Sequence, residues 1–360
     1  MVISKTPYEQ GAEATRIGMT AYATRLDRSN PIRLAVVGAG RMGRRHIAAA
    51  GTAAGVELAA VCDPVPGAAE AAAPPGVATA SGLDELGEPV DAVVIAAPTP
   101  FHTSLAEQAI GMGLDVLSEK PVGFEPAAIE RLGERAAGAG RVLAVGFWRR
   151  VAWPYVEARR LVDEGAIGAP TFMRASQWDA DLPSIEFCDP AVSGGLEIDC
   201  GVHEIDLVRW FLGSEVAHVS ATGTPGTLAA VGDAESVAAL VETTAGHAVT
   251  IDLARTCRYD DDVRTEILGP DGALLIDARG EGGLRHGDRY GLRDVPGPEG
   301  DVLELALAAQ LERFAAACAG TAPHATAADA ARALEAGQAM RRSRLAGGAL
   351  EVLRPPDRSA

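Results

Sequence analysis

Ile32-Arg-Leu-Ala-Val-Val-Gly-Ala-Gly-Arg-Met-Gly43 is the stretch that decides the fold. Its apolar first half has the composition of a buried strand, and a glycine triplet and a helical pattern follow directly. A lone acid, Asp63, ends the next apolar run twenty residues beyond Gly43. A strand, a glycine-rich turn, a helix and a later acid in this order are typical of a dinucleotide-binding unit.

Each residue of this pattern has a mechanical reason to be there. Gly38 permits the tight turn, Gly40 lets the backbone approach a pyrophosphate, and Gly43 lets the helix pack closely on the strand. The carboxylate of Asp63 would accept hydrogen bonds from the adenosine ribose and repel a 2′-phosphate. Residues 64–66, Pro-Val-Pro, bring no cation to neutralise one. The sequence therefore predicts NAD as the cofactor rather than NADP.

Composition restricts the class of protein. The chain has 360 residues, of which 48% are hydrophobic, and this length predicts two domains. A formal charge of −17 argues against binding to nucleic acid or to anionic membranes. The five cysteines show no CxxC pair and no metal-ligand spacing, so we expect reduced thiols and no metal site. We detect no targeting signal and no apolar run of spanning length, which predicts a cytoplasmic protein.

The hydrophobic pattern divides the chain. Short apolar runs alternate with helical patterns through residues 31–150, which predicts a doubly wound parallel sheet. Residues 151–350 form a predicted substrate and oligomerisation domain, in which alternating runs between Val237 and Ile276 indicate antiparallel hairpins. The Gly-, Arg- and Asp-rich stretch 279–300 predicts a loop, and helices are predicted at 302–318 and 327–346. Residues 1–30 are an extension, either a tail or an oligomer arm.

Three residues suggest alcohol oxidation. Asp199 and His203 have i, i+4 spacing in a helical pattern, so we expect the carboxylate to favour the imidazolium and tune it toward neutral pH. Lys120 follows the predicted strand Asp115 to Leu117, at the sheet edge where ligands bind, and its ammonium would stabilise alkoxide character on a substrate oxygen. Taken singly, these residues also fit a surface pair on a helix and an ordinary surface lysine.

These motifs together resemble the Gfo/Idh/MocA oxidoreductase family, and within it the inositol dehydrogenase branch. The similarity spans residues 31 to 350. It includes the glycine run, Ala97-Pro-Thr99 with His102, Glu119-Lys-Pro121, Gly146-Phe-Trp-Arg-Arg150, Gly194 to Asp206, Asp262-Val-Arg and Gly269 to Gly272. The resemblance implies a Rossmann domain joined to an open-faced, mainly antiparallel sheet domain, often an oligomer interface. We therefore expect a homo-oligomer, either a dimer or a tetramer.

The resemblance also implies residue roles. Lys120, Asp199 and His203 take the catalytic positions. The cofactor contacts implied are Gly38, Gly40, Arg41, Met42, Gly43, Asp63, Ala97, Thr99, His102 and Glu119. The substrate contacts implied are Arg149, Arg150, Trp153, Tyr259 and Asp261.

The chain departs from the inositol dehydrogenase pattern after Arg150 and around the later sheet turn. Val151-Ala152-Trp153 stand where an aromatic and an aspartate are common, and Tyr259 is followed by Asp260 to Asp262 where a second tyrosine is common. Extra carboxylate near the substrate favours an amine-bearing cyclitol or amino sugar over neutral inositol. The alternative is that these acids lie in a solvated loop, and Asp179 and Asp181 pose the same choice.

The sequence thus predicts an NAD-dependent dehydrogenase that oxidises a secondary hydroxyl of a cyclitol or sugar. Three alternatives stay open at this point. They are an NADPH-dependent keto-sugar reductase, which Asp63 opposes, an NAD-assisted glycosidase, and a non-catalytic nucleotide-sensing regulator.

Overall fold

A computed structural model describes residues 30–87, 89–280 and 282–353, so the predicted extension lies, except for residue 30, outside the described residues. Six parallel strands form the first sheet in the order β3-β2-β1-β4-β5-β6. The strands are β1 (Ile32–Val37), β2 (Val56–Cys62), β3 (Ala78–Ala80), β4 (Ala92–Ile95), β5 (Asp115–Ser118) and β6 (Leu143–Val145). The helices between them are α1 (Arg41–Ala50), α2 (Ala68–Ala72), α3 (His102–Gly111) and α4 (Pro126–Gly138). This order confirms the doubly wound sheet and reverses between β1 and β4, where such sheets bind ligands.

Close packing explains the glycine turn after β1. Gly38 has φ +99°, and a Cβ there would lie 2.6 Å from the Ala96 carbonyl oxygen. A Cβ on Gly43 would lie 1.8 Å from the Gly38 carbonyl oxygen. Only glycine at both positions lets α1 begin directly against the strand ends.

The second domain is built on a nine-stranded sheet in the order β14-β13-β12-β11-β7-β10-β9-β8-β15. Its strands are β7 (Phe172–Trp178), β8 (Val216–Thr224), β9 (Ser236–Thr243), β10 (Ala248–Ala254), β11 (Asp262–Gly269), β12 (Gly272–Asp277), β13 (Leu284–Asp288), β14 (Gly291–Val295) and β15 (Glu351–Val352). All neighbouring strands are antiparallel except β7 and β10. The mainly antiparallel sheet is therefore confirmed.

Seven helices accompany this sheet in the described chain. They are α5 (Trp153–Asp163), α6 (Ile185–Cys188), α7 (Pro190–Ser193), α8 (Leu196–Asp199), α9 (Gly201–Leu212), α10 (Val302–Cys318) and α11 (Ala327–Leu345). Strand β9 shows that one face of the sheet is covered, because Val237 and Val241 are buried while Leu240, pointing the other way, is 59% exposed. The outer face of the sheet is open, as period-two alternation requires. Within the described residues, no helix is both long and apolar enough to span a bilayer.

The predicted loop 279–300 is wrong in part, because it contains the edge hairpin of β13 and β14. The hairpin turns at Asp288 to Gly291, and Gly291 has φ +123°. Most of its side chains are exposed or half-buried. An edge hairpin that buries little lacks the apolar alternation by which strands are found in a sequence.

Helix α10 returns to the first sheet. Its Leu307, Leu311 and Phe314 are buried in one cluster with Leu34 and Ile47. The predicted domain boundary at residue 150 therefore stays a prediction. A helix from the second predicted domain packs on the sheet of the first.

We predict that Gly43→Ala lowers the free energy of unfolding by about 3 kcal/mol, because the new methyl group meets a backbone carbonyl that cannot move without the turn. Gly40→Ala is the matched control, since nothing lies within 4 Å of its Cβ position, and it should cost less than about 1 kcal/mol. Urea denaturation of both variants measures the difference. Equal stability of the two would contradict the packing argument.

Candidate active site

The N-terminus of α1 provides an anion site beside the sheet. Gly40 is the N-cap of this ten-residue helix, no side chain caps it, and the space over Gly40 is open. Backbone N–H groups at an uncapped helix start, together with the helix dipole, suit a pyrophosphate. Arg41 is exposed at this end and Met42 is half-buried. The glycine run thus fits the dinucleotide that the sequence predicts.

Asp63 lies against the same turn. Its Oδ2 accepts the Ala39 N–H at 2.7 Å, and its Oδ1 accepts the Val65 N–H at 2.9 Å. These bonds fix the carboxylate at the end of β2, next to the glycine run. A fixed anion at this position favours ribose hydroxyls and disfavours a 2′-phosphate.

His102 joins two loops at the carboxyl edge of the first sheet. Its Nδ1 lies 2.7 Å from the Pro121 carbonyl oxygen and its Nε2 lies 2.6 Å from the Ala97 carbonyl oxygen. The imidazole is 2% exposed, so we assign it a positioning role rather than the cofactor contact implied by resemblance. Ala97 and Thr99 are half-buried at the end of β4, where a cofactor contact stays a prediction.

Glu119 faces inward to a residue that the sequence analysis missed. Its Oε1 lies 2.7 Å from Nε2 of His46, a fully buried residue of α1, and its Oε2 accepts the Lys120 N–H at 3.2 Å. Burial opposes ionisation of Glu119, but His46, Lys120 and His102 hold its pKa below the ordinary value. Glu119 therefore supports the lysine loop. The signal for His46 was its place three residues after Gly43, on the face of α1 that meets the sheet.

The Lys120 ammonium links the two domains by hydrogen bonds. Its Nζ donates to the Asp199 carbonyl oxygen at 2.7 Å and to Asp199 Oδ1 at 3.3 Å. Asp199 Oδ2 accepts a bond from Nη1 of Arg255 at 3.0 Å, and Arg255 Nε donates to Asp233 Oδ2 at 3.1 Å. Lysine and arginine thus alternate with two carboxylates. Burial raises the pKa of Asp199, but the two cations outweigh it and leave that pKa lowered.

The predicted pairing of Asp199 with His203 is wrong. The helical pattern breaks at Cys200, since α8 ends at Asp199 and α9 begins at Gly201. Both carboxylate oxygens of Asp199 are bonded to cations instead. The i, i+4 spacing holds only within one continuous helix, so it could not detect this break.

His203 is a buried imidazole whose surroundings disfavour its charged form. It is 5% exposed, and the rings of Phe147 and Trp148 meet it edge-on at 5.9 and 6.4 Å between centroids. Burial lowers its pKa well below the ordinary value, and Lys120 and Arg149 lower it further. The predicted tuning toward an imidazolium is therefore wrong. A neutral imidazole at pH 7 can accept a proton without first losing one.

The two arginines predicted to contact substrate lie in buried ion pairs. Arg149 bonds to Glu204 and, at 2.6 Å, to Gln177. All three nitrogens of Arg150 are engaged, by Asp206, Asp329 and the His324 carbonyl oxygen. The geometry of Arg150 therefore supports packing of α9 and α11 and gives a substrate role no support.

Trp153 lies elsewhere. It lines a surface cleft of about 620 Å³ with Glu157, Pro296 and Arg313, and none of the residues around Lys120 lines that cleft. A Cβ on Gly297 would lie 2.3 Å from its ring. Its predicted substrate contact is thus replaced by packing of α5 on the loop before α10.

The acidic turn after β10 is largely solvated. Tyr259 is 64% exposed and its hydroxyl bonds to Asp262, which also pairs with Arg264. Asp261 is exposed and its Oδ1 accepts the Ala180 N–H at 2.7 Å. Substrate contacts by Tyr259 and Asp261 have no further support. Asp181 is exposed as well.

The cysteines, all of which lie in the described residues, are unpaired and buried. In the same part of the chain, no three His, Cys, Asp or Glu side chains gather in an arrangement that could hold a metal ion.

Comparison with known proteins gives the family. Residues 32–147 match the oxidoreductase family with an NAD-binding Rossmann fold, and residues 155–275 match the GFO/IDH/MocA C-terminal domain. The scyllo-inositol 2-dehydrogenase (NAD(+)) of Bacillus subtilis is 32% identical over 268 residues, 71% of this chain and 75% of that protein. The rhizopine catabolism protein MocA of Rhizobium meliloti is 33% identical over 314 residues, 85% of this chain and 93% of that one.

A solved structure of an inositol dehydrogenase has a similar fold. The scyllo-inositol dehydrogenase of Lactobacillus casei, solved with bound NAD(H) and scyllo-inositol, has a TM-score of 0.78 at 27% identity, covering 90% of this chain and 99% of that one. The resemblance inferred from motifs is confirmed, and the first domain binds NAD. The chain belongs to the Gfo/Idh/MocA family of NAD-dependent oxidoreductases.

Proposed function

We propose that this oxidoreductase removes hydride from a secondary hydroxyl-bearing carbon of a cyclitol or sugar, with Lys120 and His203 as the catalytic residues. The observation that carries the proposal is the Lys120 ammonium held on Asp199 at the end of α8, with the buried imidazole of His203 in the helix that follows. Lys120 follows the carboxyl end of β5, and His203 contacts the rings of Phe147 and Trp148, which follow the carboxyl end of β6. The named inositol dehydrogenases among the relatives support the substrate class.

The residues divide the work of alcohol oxidation. The Lys120 ammonium donates to the substrate oxygen and stabilises its negative charge. His203 takes the hydroxyl proton, because its lowered pKa keeps it neutral beforehand. Asp199 and Arg255 hold the lysine in place, and the edges of Phe147 and Trp148 shield the imidazole from water. Bound NAD would supply the acceptor for the hydride.

Specific features disfavour two alternatives from the sequence. The carboxylate of Asp63 opposes an NADPH-dependent reductase. The assembled Lys120–Asp199 contact is costly to keep in a protein that only senses nucleotides, because it holds charges in a site with little solvent. An NAD-assisted glycosidase would release sugar from a chromophoric glycoside without net NADH, so one assay separates it.

We also propose that the open face of the nine-stranded sheet meets a second copy of the chain. Leu240 of β9 is 59% exposed on this face, and Arg174 of β7 pairs with Glu266 of the adjacent β11 at 2.6 Å. An exposed apolar side chain on the same face as a charge pair that neutralises itself suits a symmetric interface. The reduced thiols and NAD use fit the proposed cytoplasmic location.

We predict that Lys120→Met and His203→Asn each lower kcat for cyclitol oxidation by about a hundredfold or more. The first removes the charge that stabilises the substrate oxygen, and the second removes the proton acceptor. Formation of NADH absorbance with scyllo-inositol, myo-inositol and hexoses measures this. NAD affinity, followed by nucleotide fluorescence, should change less than about threefold. Full turnover in Lys120→Met with intact NAD binding would overturn the proposal.

The imidazole of His203 should titrate well below pH 6.5. NMR of labelled histidine, assigned with His203→Asn, should show no protonation of this ring between pH 8 and pH 6.5. Lys120→Met removes a cation that disfavours the imidazolium, so the midpoint should move upward. A midpoint at or above 6.5 in the natural protein would contradict the assignment of a neutral base.

A further inference from the structure

The carboxylate of Asp179 lies beside the catalytic residues without a cation partner. Its Oδ2 accepts a bond from the Cys200 thiol at 3.3 Å, and its Oδ1 accepts one from the Gln177 amide at 2.8 Å. Both donors are neutral. In the part of the chain that the structure describes, no lysine, arginine or histidine pairs with Asp179, although the side chain is only half-exposed.

The position of Asp179 is fixed from several directions. Its N–H donates to the Ala254 carbonyl oxygen at 2.8 Å, and its own carbonyl oxygen accepts the Cys257 N–H at 2.8 Å. Arg149 donates to the side-chain Oε1 of Gln177, which leaves the Nε2 of the same amide to donate to Asp179. The carboxylate is therefore presented as a preorganised acceptor.

Cys200 places this acceptor next to Lys120. The Cys200 Sγ atom lies 3.3 Å from Asp179 Oδ2 and 4.0 Å from Asp199 Oδ2, so the two carboxylate oxygens are at most 7.3 Å apart. Lys120 binds the same Asp199. A six-membered ring whose reacting hydroxyl meets Lys120 can therefore present another substituent to Asp179.

Charge balance distinguishes Asp179 from the other acids at the site. Lys120 and Arg255 balance Asp199 and Asp233. A second balanced pair is Arg149 with Glu204. Asp179 is half-exposed and is left without a cation, so covering its carboxylate with a bound substrate costs free energy unless that substrate brings a cation.

We propose that Asp179 is a specificity-determining residue that binds an ammonium group on the substrate ring. This inference rests on the proposed function and narrows it to amine-bearing cyclitols or amino sugars. An ammonium brings three donors and one positive charge, and Asp179 uses only two of its roughly four acceptor sites on neutral donors. Among the carboxylates that the sequence offers for an amine, Asp260 to Asp262, Asp179 and Asp181, this geometry selects Asp179.

The test compares scyllo-inositol with its analogue in which one hydroxyl is replaced by an amine. We expect the natural protein to oxidise the amine with at least tenfold higher kcat/KM. Asp179→Asn keeps the size and the acceptor oxygen but removes the charge, so it should lower the amine-to-neutral ratio of kcat/KM about tenfold to a hundredfold. Asp261→Asn is the matched control, because its amide oxygen still accepts the Ala180 N–H, and it should keep the ratio within about twofold.

A second measurement uses only the natural protein, so it tests the inference even if Asp179→Asn does not fold. The amine-to-neutral ratio should fall toward one as pH rises through the amine's own pKa, because only the protonated amine pairs with Asp179. A ratio near one at neutral pH, a ratio unchanged in Asp179→Asn, or a preference that persists for the deprotonated amine would each overturn the inference. Absence of NADH from both compounds, and from other polyols, would instead overturn the proposed function.

Discussion

The contact between Lys120 and Asp199 is the interaction on which the site depends. The lysine follows a strand of the first sheet, and the aspartate ends a short helix of the second domain. One ammonium bonds to both the carbonyl and the carboxylate of Asp199. This contact joins the NAD-binding half to the half that we propose holds substrate. Its geometry is held from behind by Arg255 and Asp233, which keep the charges balanced in a site with little solvent.

A second buried pair, His46 with Glu119, links the same lysine to the cofactor side. His46 belongs to the helix whose N-terminus suits the pyrophosphate, and Glu119 accepts the Lys120 N–H. The glycine turn, helix α1 and the lysine loop are therefore one connected unit. The residues that would bind the dinucleotide at α1 are therefore connected by hydrogen bonds to the loop that positions the Lys120 ammonium.

Elements whose pattern is local could be predicted from the sequence. Strand β1 and helix α10 match the predicted residues, and β2 ends just before Asp63 as expected, because buried strands and amphipathic helices carry their periodicity in adjacent residues. Contacts between distant residues could not be predicted in this way. Arg255 lies 56 residues from Asp199, and nothing in its neighbours distinguishes it from a surface arginine. Cys200 interrupts a helical pattern whose apolar spacing continues across the break, and the following Gly201 is its only local mark.

Residue type was a poor guide to the role of the arginines. Arg149 and Arg150 directly follow Trp148, whose ring meets that of His203, yet their guanidinium groups pair with Glu204 and Asp206 in the interior. Burial decides this outcome, since a buried cation must find an anion before it can serve a ligand. The opposite holds for Asp179. Its missing cation is visible only once the ion pairs around it are known.

The most direct test of the account is a double-mutant cycle on kcat/KM for cyclitol oxidation, using Lys120→Met, Asp199→Asn and the double variant. If Asp199 acts by holding Lys120, the double variant should be no worse than Lys120→Met alone, within about threefold. Unfolding curves check that all three variants stay folded. If the two losses instead multiply, Asp199 acts independently of the lysine, and the contact on which this account depends is not the one that organises the site.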